Sequence, residues 1–200
     1  MDWGIVNQVI VIGRVDGDSS LYLDRRPFVL SFALHVPDDK GHEGLYVRIL
    51  KRGNDAVDCR PASGQAVLVV GALRTSIVAL DGTPSAAPIS WIQALSVRRP
   101  QVEGPYNAVH LLGKVASEVQ VTLDTRQHPW ATFLLAVPMP PWTGVYSSLV
   151  KVAVCGEGMV SRYVPAVEKG RYCLCRGRLI SRTLQGGKSD VSVLAQEISF

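Results

Sequence analysis

The chain has 200 residues, 47% of them hydrophobic and 19% charged, with a formal net charge of +4 at neutral pH. This balance excludes a disordered polyelectrolyte, and because no apolar run nears the roughly 18 residues that a membrane helix needs, it excludes a helical membrane protein. The mild positive charge tolerates a polyanionic partner without demanding one, and the opening MDWGIVNQ lacks the basic and apolar regions of a secretory signal, so a cytoplasmic protein is expected.

Residues 9–15, VIVIGRV, read as a first strand interrupted at Gly13, where a glycine marks a bend or bulge. Residues 16–19, DGDS, read as a turn. A second strand covers 28–36 and is closed by Pro37 and the polar loop 38–44; a third covers 46–51. Between Gly53 and Gly64 there is room for one or two helical turns, limited by Pro61. Residues 66–75 form a fourth strand broken by Gly71, and after the turn-rich 81–85 a fifth covers 89–97.

The pattern then starts again. NQVIVIGRV at 7–15 returns as NAVHLLGKV at 107–115, 100 residues later. Val36-Pro37 returns as Val137-Pro138, Gly71-Ala72-Leu73 as Gly177-Arg178-Leu179, and Ala94-Leu95-Ser96-Val97 as Ala195-Gln196-Glu197-Ile198. In the second half residues 157–169 suit a helix, with Met159, Val160, Tyr163, Val164 and Val167 at spacings of three to four. A repeat this long is a duplicated domain rather than a solenoid.

Three strands, a short helix and two more strands are the plan of an OB-fold, a small barrel that binds oligonucleotides across its face. The expected fold is therefore mainly all-β: two tandem OB-folds, each a five-stranded Greek-key barrel with one short helix. The expected domains are 1–98 and 106–200, joined by the Pro-, Gly- and charge-rich linker 99–105.

The chain resembles the bacterial single-stranded DNA-binding protein family in its motifs. That family has an N-x-V-x-L-x-G-R/K-V opening strand, a W-x-R-V-V-type strand followed by Gly, and a G-x-x-V-x-V-x-G-x-L-R-T strand. Residues 7–15, Tyr46-Val47-Arg48-Ile49-Leu50 through Gly53, and GQAVLVVGALRT at 64–75 match these in order. In the second half, 107–115, Val150-Lys151-Val152 through Gly156, and 170–181 match less closely. The resemblance implies sequence-independent binding of single-stranded DNA, in replication, recombination or repair, by bases stacked on aromatic residues and phosphates held in a basic groove. RNA is a lesser variant of the same partner.

Carried over position by position, the aromatic set is thin. Tyr46 stands at the tryptophan that opens the third strand, where the second half has Leu149. The phenylalanine before the Gly is Arg52 in one half and Cys155 in the other, and the aromatic after the R-T is Val78 and Leu184. Trp142 lies near a further family tryptophan. The basic residues persist: Arg14, Arg48, Arg52 and Arg74 in the first half, and Lys114, Lys151, Arg176, Arg178 and Arg182 in the second. Arg52 can still stack its guanidinium on a base. The bland alternative for these cations is a solvated sheet face. Trp130 and Trp91 are expected to pack in the core, and Trp142 to serve as base platform or interface anchor.

Related single-domain proteins are tetramers, so a duplicated chain is expected to form a homodimer presenting four OB-folds. The family's acidic tail is not seen after Phe200, so no recruitment of partner enzymes through it is expected. The alternative function is a degenerate OB-fold adaptor of a nucleic-acid-processing assembly. No cofactor is expected. The four cysteines give no repeated disulfide pattern, and Cys173 and Cys175 read as small core residues on one strand face. His35, His42, His110 and His128 lack metal-ligand spacing, and no nucleophile elbow, phosphate loop or dinucleotide fingerprint is present, so no enzyme is expected.

Overall fold

A computed structural model describes residues 6–23, 28–38, 44–78, 84–124, 126–183 and 189–200, with 77, 78, 84–88, 182, 183 and 189 described by their backbone alone. The predicted turn at 81–83, most of the loop 38–44, Leu184 and the side chains of Val78 and Arg182 lie outside the described residues. By contact density the chain falls into two compact units. One comprises 8–108 with 181–191, and the other 1–7, 109–180 and 192–200. Among the described residues no helix is long and apolar enough to cross a membrane.

In the first half the strands are β1 (Asn7–Leu23), β2 (Phe28–Val36), β3 (Leu45–Arg52), β4 (Ala66–Val78) and β5 (Pro84–Arg98). β1 pairs antiparallel with both β2 and β4, β2 with β3, and β4 with β5, while β3 and β5 run parallel and close the ring. This is a closed five-stranded OB barrel. Strict alternation explains its interior: Val9, Val11, Leu30, Phe32, Leu34, Val47, Ile49, Val67, Val69, Leu73 and Ile92 are buried, and the residues between them point outward.

The second half has β6 (Tyr106–Val115), β7 (Gln120–Leu123), β8 (Pro129–Pro138), β9 (Ser147–Cys155), a helix α1 (Glu157–Tyr163), β10 (Tyr172–Thr183) and β11 (Ser189–Ser199). Its ring runs β6-β8-β9-β11-β10 and back to β6, with β9 and β11 parallel and β7 added beside β8. The interior is filled by Val109, Leu111, Phe133, Leu135, Val150, Val152, Val154, Leu179 and Val193, together with Cys173 and Cys175.

Paired glycines mark both copies. A Cβ at Gly13 would strike the carbonyl oxygen of His35, and one at Gly71 that of Gln93; Gly113 and Gly177 meet the carbonyls of Ala136 and Leu194 in the same way. These are the points where one strand bends to serve two neighbours, and β4 slips register against β5 between Val70 and Gly71.

One sequence expectation needs correction. Residues 16–19 do not end the first strand but form an irregularity inside β1, where the register to β2 shifts between Asp16 and Ser20. Gly17, at φ 74°, accommodates the kink. Buried Ser19 holds it by donating its hydroxyl to the Pro61 carbonyl at 3.0 Å while Arg60 donates to the Ser19 carbonyl at 3.0 Å. The helical segment after β3 is a single 3₁₀ turn, Asn54–Ala56. It is tied down by Asp55, whose carboxylate lies 2.8 Å from the buried ammonium of Lys51.

Candidate nucleic-acid interface

Outward-pointing residues of the first barrel line up in rows across neighbouring strands. Arg14 on β1 stands opposite His35 on β2, which stands opposite Tyr46 on β3. The next row runs Asp16, Ala33, Arg48, Trp91 and Arg74 over all five strands. The third contains Ser31, Leu50, Gln93 and Ala72, and the fourth Val29 and Arg52. Arg14, Tyr46, Arg48, Arg52 and Arg74 thus all point outward from β1, β3 and β4.

Aromatic and cationic groups alternate in these rows. The Tyr46 ring, 46% exposed, stacks on His35 with centroids 4.5 Å apart and planes at 21°. The Arg74 guanidinium lies 5.1 Å over the Trp91 ring and donates to Gln93 Oε1 at 3.2 Å. Burial, and after it the positive charge of Arg52, pulls the pKa of Arg74 below its ordinary value, which places the two cations within each other's field. Arg14 also donates to the Gly64 carbonyl at 3.2 Å and lines a cleft of about 740 Å³ with Ile12, Pro37, Ala66 and residues 100–105.

The cations of the second barrel stand on the corresponding strands β6, β9 and β10. Lys114 lies over the exposed Tyr172 ring at 5.5 Å, and Arg176, opposite His110, meets Glu197 at 3.5 Å; both belong to the β6–β10 pair. Lys151 is half-buried on β9, opposite Leu134. Arg178 is half-buried on β10. Trp142, 42% exposed, sits in the 3₁₀ turn Pro141–Thr143 between β8 and β9.

No family model matches the sequence, and no curated protein does. Among solved structures, a deletion variant of the single-stranded DNA-binding protein of Thermus aquaticus superposes with a TM-score of 0.76 at 19% identity, covering 97% of this chain and 93% of that one. The wild-type protein gives 0.74 at 20% identity, covering 97% and 92%. The chain has the fold of a single-stranded DNA-binding protein.

Within this SSB-like fold, Trp91 is packed as the sequence suggests, but against Val29 and Leu50 rather than inside the barrel. It is buried, but it projects from the outer surface beside Arg48 and Arg74, while its neighbour Ile92 enters the barrel. The available signal was the phase of β5: Ile92 and Ala94 are the inward pair, which turns Trp91 and Gln93 outward. Trp130 is likewise not a barrel-core residue; it is half-buried, opposite Cys155, on the face away from Ala131 and Phe133. In the repeat, Trp91 corresponds to Ser192, Arg74 to Ile180, Arg52 to Cys155 and Tyr46 to Leu149, while Arg14 and Arg48 keep a cation, as Lys114 and Lys151.

Proposed function

We propose that the chain binds single-stranded DNA without sequence readout through its tandem OB-folds, acting in replication, recombination or repair in the cytoplasm. The observation that carries this reading is the Arg48-Trp91-Arg74 row beside the stacked His35-Tyr46 pair. Guanidinium groups suit phosphodiester oxygens and flat rings suit bases of any identity, the combination that non-specific single-strand binders use. The domains are 1–98 and 106–200, with 99–105 as linker. The functional unit is a homodimer presenting four OB-folds.

The second barrel favours a supporting role. With Leu149, Cys155, Ile180 and Ser192 in place of the ring and cation positions, it has the character of the degenerate adaptor considered as the alternative, and the first barrel carries most of the affinity.

The test is titration of a fluorescent oligo-dT with the pure protein at two salt concentrations. If Arg14, Arg48, Arg52 and Arg74 each meet a phosphate, log K falls with log salt at a slope of about −3. Failure to bind at low salt would overturn the reading in favour of the adaptor, and a clear preference for oligo-U would redirect it to RNA.

A further inference from the structure

Trp91 is only 4% exposed although it stands on the outside of the barrel. It rests on Val29 and Leu50, with Ile89 packed alongside, and the Arg74 guanidinium covers its ring at 5.1 Å, held there by Gln93. Its indole N–H is buried and meets no acceptor among the described residues. A buried donor without an acceptor forfeits its hydration and gains nothing in return, so the covered arrangement carries a free-energy cost. Arg74 is also repelled by Arg52.

We propose that Trp91 is a concealed base platform and Arg74 its cover, a reading that rests on the single-stranded DNA function argued above. A phosphate arriving between Arg52 and Arg74 neutralises their repulsion and draws the Arg74 guanidinium off the ring. A base then stacks on the freed indole, and the N–H gains access to phosphate or sugar oxygens. The arrangement selects for single strands. A duplex supplies the phosphate but keeps its bases paired and stacked, so opening the cover against it would leave an apolar ring in water with nothing to cover it.

The experiment uses the full chain. Parent, Trp91→Phe and Trp91→Leu are titrated with labelled oligo-dT by anisotropy, and tryptophan emission is followed in parallel. The parent is expected to lose emission on saturation, Trp91→Phe to lose distinctly less, and Trp91→Leu to bind about 5- to 150-fold more weakly. Arg74→Met is read without DNA, which keeps the proposal testable if Trp91→Leu misfolds. Removing the cover should make tryptophan emission more accessible to acrylamide than in the parent, and adding Trp91→Phe should abolish that gain. The proposal is overturned if the parent binds but its quench equals that of Trp91→Phe, or if Arg74→Met leaves acrylamide quenching unchanged. A parent that binds no oligonucleotide at low salt removes the single-stranded DNA reading itself.

Discussion

Tyr46→Ala and Arg48→Ala separate ring from charge on the same strand. Tyr46 is 46% exposed and stacks on His35 at 4.5 Å, so its ring keeps exposed area on which a single base can stack. Removing it should cost about 1 to 3 kcal/mol, or roughly 5- to 150-fold in Kd, with the low end expected because His35 remains. Stacking releases no counterions, so this deficit should be the same at 50 and 200 mM salt. Arg48 is exposed in the adjoining row and offers one phosphate contact. Losing it should shallow the salt slope by about 0.7, so its deficit shrinks by a factor of about 2.6 over that fourfold rise in salt. Leu149→Ala, at the equivalent of Tyr46 in the second barrel, should change affinity little. Fluorescence anisotropy with oligo-dT reads all three. A salt-dependent deficit for Tyr46→Ala beside a salt-independent one for Arg48→Ala would refute the role of each. Parent-like binding by Tyr46→Ala together with loss of binding in Trp142→Ala would move the site to the second barrel.

Lys51 is 5% exposed and its ammonium meets Asp55 at 2.8 Å. Asp55→Ala leaves that cation buried without its partner and should lower the melting temperature by about 4 to 8 °C, corresponding to about 1 kcal/mol given the exposure of Asp55. Lys51→Met should cost less, and a larger loss there would refute the account. Burial pushes the Cys173 thiol up to about 12 and that of Cys175 higher still, so maleimide at pH 8 should label only Cys59 and Cys155 in the native protein and all four cysteines in denaturant. Rapid native labelling of a third thiol would contradict the packing of β10. Light scattering should give twice the mass of the 21.7 kDa chain, and the mass of one chain at micromolar concentration would reject the homodimer.

The barrel was legible because its signals are local and repeated. Alternation across 28–36 gave β2 to the residue, and the glycines at 13, 71, 113 and 177 stood where strands turn. A misreading arose where one local pattern served two purposes. DGDS has turn composition, yet here it kinks a single strand shared by β2 and β4, held by contacts to Arg60 and Pro61 more than 40 residues away. Trp91 is packed as expected, but its registry against Arg48 and Arg74 puts it outside the barrel interior, under side chains from other strands. That cover is a tertiary fact, since Arg74 and Gln93 come from two strands joined through a register shift at Gly71.

Exchanging aromatic rings for guanidinium groups on an OB face also changes what drives binding. Each stacked base contributes a term that salt hardly touches, whereas each phosphate contact draws its free energy from released counterions and fades as salt rises. At Arg52 the exchange leaves a side chain able to do either, and at Trp91 it goes further, because the one large ring in the central row is covered by a cation that would meet a phosphate first. Charge is then encountered before stacking. The second barrel has lost both terms at the corresponding places, Cys155 for Arg52, Ile180 for Arg74 and Ser192 for Trp91, while its core alternation and glycine bends are kept.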